Sequence, residues 1–63
     1  MSNMATYRKV RHMTQAELAA IIGVKRSTLA MWESGANMPP TKYLLAIAEV
    51  LGCTVDELLK PSA

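Results

Sequence analysis

The stretch Thr14-Gln15-Ala16-Glu17-Leu18-Ala19-Ala20-Ile21-Ile22-Gly23-Val24-Lys25-Arg26-Ser27-Thr28-Leu29-Ala30-Met31-Trp32-Glu33-Ser34-Gly35 decides the fold. Thr14 and Glu17 have the spacing of a capping box, in which the hydroxyl and the carboxylate satisfy opposing orphan amides. The box opens a helix that runs to about Ile22, where Gly23 ends it. After a tight turn, a second helix runs from about Arg26 to Ser34 and is closed by Gly35. Its Leu29 and Trp32, spaced i, i+3, mark an inner face. Ala19 faces the partner helix, where a larger side chain would push the two apart. Val24, Leu29 and Trp32 pin the second helix to the core.

Working outward, the breakers fall at regular intervals. A helix from about Met4 to Arg11 puts Met4, Tyr7 and the stem of Arg11 on one face. His12 sits where the chain must turn, and His tolerates the left-handed conformation better than most residues. Ala36 to Pro40 form a loop, because paired prolines cannot continue a helix. Thr41 to Leu51 form a helix with Leu44, Ile47, Ala48 and Leu51 as its buried stripe, ended by Gly52. Thr54 and Glu57 make a second capping box, opening a short helix through about Leu59 that Pro61 stops. The expected architecture is all-α: five short helices around one core in a single domain, 4–60. Residues 1–3 and 61–63 are expected to be flexible ends, with 1–3 read alternatively as an addition ahead of a native Met4.

Composition sets the outer bounds. A 63-residue chain buries only about 60% of its unfolded surface and has no room for a second lobe with an enzyme cleft. Apolar residues make up 51% without a single Phe, and no alternating runs favour strands. Cys53 and His12 stand alone, so no internal disulfide forms and a four-ligand zinc site lacks donors. No nucleophile–base constellation, paired acidic motif or phosphate-cradling glycine loop is present, so neither an enzyme nor a cofactor or small-molecule ligand is expected. The longest apolar runs, Leu18–Ile22 and Leu44–Ala48, are too short to span a bilayer, and no targeting segment is visible. The lone thiol fits a reducing cytoplasm. Charge is unevenly placed. Residues 1–43 hold Arg8, Lys9, Arg11, Lys25, Arg26 and Lys42 against Glu17 and Glu33, a balance of +4. Residues 44–63 hold Lys60 against Glu49, Asp56 and Glu57, a balance of −2. Such a front suits a polyanion.

Two helices packed steeply across so short a turn leave the outer face of the second protruding, a shape that enters a DNA major groove. The run from Met13 to Gly35 resembles the phage-repressor and Cro-like (XRE) helix-turn-helix family. The likeness continues through Pro39, Leu44–Ala48, Leu51-Gly52 and Val55–Leu59, and covers about residues 4–59 without a gap. The resemblance implies a lambda-repressor-like domain that binds double-stranded DNA as a transcriptional regulator, more often a repressor, of prokaryotic or phage origin. It assigns base reading to Arg26, Ser27, Ala30 and Met31. Thr14 and Gln15 fall on backbone phosphate, Lys25 and Thr28 at its margin, and the loop of Gly35 and Asn37 along it. It also implies a structural ion pair between Arg8 and Glu33, which removes Arg8 from the DNA contacts.

Two departures from the family stand out. Lys25 replaces the usual Ser or Thr cap, a loss of about 1 kcal/mol that brings a cation beside a phosphate strand. The reading face is unusually apolar: only Arg26 can fork onto guanine, while Ala30 and Met31 suit a thymine methyl. Plainer roles compete: Met31 and Ile21 as surface that docks a protein, Trp32 and Cys53 as packing, His12 as a turn residue. The alternative function is therefore a protein-interaction or antitoxin-type docking module on the same fold. Dimerisation is expected to be weak or DNA-induced. The chain runs to Ala63 directly after its last helix, leaving Val55, Leu58, Leu59 and the Lys60-Pro61 end as a small patch, some of which must also serve the core.

Overall fold

The computed structural model describes residues 3–60, which form five α-helices and no strand. They are α1 (Met4–Val10), α2 (Gln15–Ile22), α3 (Arg26–Ser34), α4 (Thr41–Leu51) and α5 (Val55–Leu59). The all-α expectation holds, element by element. Both capping boxes form. Thr14 Oγ1 accepts the Glu17 amide at 3.1 Å while Glu17 Oε1 accepts the Thr14 amide at 2.9 Å. Thr54 and Glu57 repeat the arrangement at 3.0 and 2.9 Å. Gly23 ends α2 with φ +88°, in the left-handed region where a side chain is strained. His12 takes the same region at φ 57° between α1 and α2.

The core draws on every helix. Met4, Leu18, Leu29, Ile47, Leu51 and Leu58 are fully buried, and each such side chain contributes roughly 1.5–3 kcal/mol of transfer free energy. Leu44, Ile47, Ala48 and Leu51 line the inner side of α4 as their spacing foretold. Ala19 is buried where α2 packs on α3. Trp32 meets Tyr43 with ring centroids 5.5 Å apart, which ties α3 to α4. Lys42 Nζ lies 5.0 Å from the Tyr43 ring centre.

The structure departs from expectation at two places. Helix α1 stops at Val10, and Arg11 is exposed instead of lending its stem to the core. Arg8 takes the inward position, and the Arg11 guanidinium lies over Gly52 so closely that a Cβ there would collide with it. Asn3, assigned to a loose end, is anchored: its amide donates to Leu58 O at 3.1 Å and its Nδ2 to Glu57 O at 3.3 Å. Leu58 is the member of the α5 patch that serves the core, and it is fully buried. The remaining end residues, and with them the stop at Pro61, lie outside the described residues.

Candidate nucleic-acid interface

Helix α3 has two unlike faces. Leu29, Trp32 and Glu33 are buried, while Arg26, Ser27, Met31 and Ser34 are exposed and Thr28 and Ala30 half-buried. At about 100° per residue, Ser27, Ala30, Met31 and Ser34 form one strip opposite the buried side, with Arg26 and Thr28 on its flanks. Met31 is 42% exposed, a large apolar side chain held in water. Three of the four residues assigned to base reading, Ser27, Ala30 and Met31, thus share the outer half of α3, with Arg26 exposed at its edge. Ser34 shares the strip by its register, i+3 from Met31 and i+7 from Ser27, and stands outside the sequence-based set. Its hydroxyl donates to Met31 O at 3.0 Å and accepts the Ala36 amide at 3.4 Å, closing the helix end.

The starts of α2 and α3 differ. Lys25 precedes α3 in extended backbone with no side-chain cap. The amides of the first turn of α3 therefore lack a side-chain acceptor, and Lys25 and Arg26 stand beside them. At α2 the capping box consumes both the amide and an oxygen lone pair of Thr14. The Thr14 backbone hydrogen bond, then its side chain, holds the Glu17 carboxyl below the usual range, so it is ionised at neutral pH. An ionised carboxylate opposes a phosphate at this helix end, and Thr14 retains only its hydroxyl hydrogen for such a contact.

Gln15 is half-buried, and its Nε2 donates to Glu33 Oε1 at 3.0 Å. Glu33 is in turn paired with Arg8: Nε reaches Oε2 at 2.7 Å and Nη2 reaches Oε1 at 3.1 Å. Arg8 Nη1 donates to Met13 O at 2.7 Å. The arginine and the glutamate that the resemblance paired do meet, and Gln15 joins them, a third member that no sequence spacing announces. In the loop after α3, Gly35 and Asn37 are exposed. Asn37 folds back on the outer strip: its amide donates to Met31 O at 3.4 Å and its Nδ2 lies 3.6 Å from Met31 Sδ.

Other candidates play no part in this face. Burial, then Glu57, pushes the Cys53 thiol up against the smaller opposing pull of Arg11, which disfavours the reactive thiolate. Among the described residues no cluster of three or more His, Cys, Asp or Glu could hold a metal. No helix among the described residues is long and apolar enough to cross a membrane. Ile21 is 56% exposed on α2, as its position had implied.

Residues 4–58 match the profile of a helix-turn-helix family. Among curated proteins the chain is 36% identical over 55 residues to the cryptic phage CTXphi transcriptional repressor RstR of Vibrio cholerae, covering 87% of this chain and 49% of that protein. It is 36% identical over 53 residues to repressor protein C2 of Salmonella phage P22, covering 84% of this chain and 24% of that one. It is also 37% identical over 49 residues to the HTH-type transcriptional activator BcrR of Enterococcus faecalis, covering 78% and 24%. The chain therefore spans about half the length of the first of these relatives and about a quarter of the other two.

Proposed function

The chain belongs to the phage-repressor and Cro-like (XRE) helix-turn-helix family of transcriptional regulators, and we propose that it represses transcription by inserting α3 into the major groove of double-stranded DNA. One observation carries the reading. The strip of Ser27, Ala30 and Met31 projects from α3 while Leu29, Trp32 and Glu33 hold the opposite side in the core. In this reading Arg26 forks onto O6 and N7 of a guanine, Ser27 bonds a neighbouring base edge, and Ala30 and Met31 pack on thymine methyls. The preferred site accordingly carries a G beside T·A pairs. Gln15, Lys25, Thr28, Gly35 and Asn37 lie along phosphate, with Thr14 contributing through its hydroxyl hydrogen. Repression follows from occupancy of a promoter site. Two of the three relatives described above are named repressors and one an activator.

A second reading, a protein-docking module on the same fold, rests on the exposed Met31 and Ile21. Salt separates the two. Each phosphate that a cation neutralises releases counterions, so the logarithm of the affinity for duplex DNA falls as the logarithm of salt rises, at about −0.9 per phosphate neutralised. A flat response between low and moderate salt favours protein docking.

A further inference from the structure

Gln15 opens α2 and Glu33 lies in the last turn of α3, yet the amide nitrogen of one and a carboxylate oxygen of the other are 3.0 Å apart. A carboxamide has two unlike ends: the oxygen only accepts, and the nitrogen carries two hydrogens to donate. An ionised carboxylate accepts only. Glu33 thus tolerates one of the two flips of Gln15, because the other sets oxygen against oxygen. Arg8 strengthens the constraint. Its two bonds to Glu33, 2.7 and 3.1 Å, fix the carboxylate from the side of α1. Gln15 is left half-exposed with its flip determined and one Nε2 hydrogen unspent.

A phosphodiester presents acceptors and no donors, so only the nitrogen end of a glutamine can bond it. We propose that Glu33 is a positioning residue for DNA binding, holding the Gln15 carboxamide so that its second N–H is available to a backbone phosphate. The proposal rests on the DNA-binding reading above and deepens it. The Arg8–Glu33 pair then has two separable roles, one in joining α1 to α3 and one in orienting a contact that neither charge makes. Pairing with Arg8 also neutralises Glu33, which would otherwise repel the phosphate it serves.

The test removes the acceptor while sparing the fold. Replacing both charges by apolar residues of similar length, Arg8→Met with Glu33→Met, is often neutral or stabilising for a buried pair. This double variant is made with and without Gln15→Ala, and each protein is titrated with a random-sequence duplex at low salt while its melting temperature is recorded. Loss of one hydrogen bond to a charged group weakens binding about tenfold or more. The expected result is that weakening in the double variant at a near-wild-type melting temperature, a similar weakening in Gln15→Ala, and no further loss when all three changes are combined. Equal factors from the double variant in both backgrounds, or unchanged binding in the double variant, overturn the proposal. If the double variant fails to fold, side-chain amide resonances of Gln15 in the wild-type protein decide. One Nε2 proton is expected to stay in place on adding duplex while the other shifts. Two protons that both resemble free glutamine, or that shift alike, overturn it. A wild-type protein that binds no duplex defeats the DNA-binding reading itself.

Discussion

Arg8 in α1 and Glu33 in α3 form a two-point hydrogen-bonded ion pair, with Nε on Oε2 at 2.7 Å and Nη2 on Oε1 at 3.1 Å. Both residues are nearly enclosed, 8% and 7% exposed. Taking two charges out of water costs several kcal/mol per ion, and only good geometry with every remaining proton and lone pair engaged offsets it. Here the third Arg8 nitrogen reaches Met13 O and Gln15 supplies the extra donor to Glu33. No buried side-chain nitrogen or oxygen among the described residues lacks a partner.

Single truncation of this pair is therefore costly. Arg8→Ala or Glu33→Ala leaves one buried charge alone and is expected to destabilise the fold by about 3–5 kcal/mol, read as a large fall in melting temperature. An unchanged melting temperature with weakened DNA binding in Arg8→Ala would place Arg8 at the DNA instead.

Acid sensitivity follows from the two capping boxes. Backbone hydrogen bonds from Thr14 and Thr54 are the main cause holding the Glu17 and Glu57 carboxyls below their ordinary value of 4.5. A folded-state value below the unfolded one means the stabilisation is fully present above about pH 4.5 and fades as pH falls through the lowered values. Melting temperature should hold steady from neutral pH to about 5 and then decline. Glu17→Gln with Glu57→Gln should flatten that decline; a decline as steep as wild type would show that other carboxylates govern it.

Much of this domain was legible because its helix boundaries are set locally. A Thr three residues ahead of a Glu, a glycine after the last apolar residue and a stripe at Leu44, Ile47, Ala48 and Leu51 need no tertiary information. The half of α3 that faces out follows from the same periodicity. What sequence did not show is where long side chains end. Arg8 in α1 and Arg11 just past its end are three residues apart, yet one enters the core to meet Glu33 and the other lies over Gly52. The Gln15–Glu33 bond and the return of Asn37 onto Met31 likewise depend on how helices and loop pack, which no local spacing encodes. The resemblance supplied the Arg8–Glu33 pairing because it carries tertiary information from a family.

Association in solution should be weak. Leu58 is spent on the core and Val55 and Leu59 are half-buried, so α5 has little apolar side chain left to offer toward the roughly 1,000 Å² a stable interface needs. Sedimentation should show a monomer that pairs on a near-palindromic site with half-sites about 34 Å apart. A tight dimer at nanomolar concentration without DNA, or strict one-to-one binding on a two-fold site, would contradict this.

The central claim is that α3 reads bases, and selection of bound duplexes from a random pool, run in parallel with wild type and Arg26→Ala, tests it most directly. Wild type is expected to enrich a short motif containing a G beside T·A pairs. Arg26→Ala is expected to lose preference at that G alone, with affinity for the wild-type motif falling by about 1–3 kcal/mol and little change on random DNA. A wild-type pool that stays as random as its input, or equal losses by Arg26→Ala on motif and random DNA, would contradict base reading by α3.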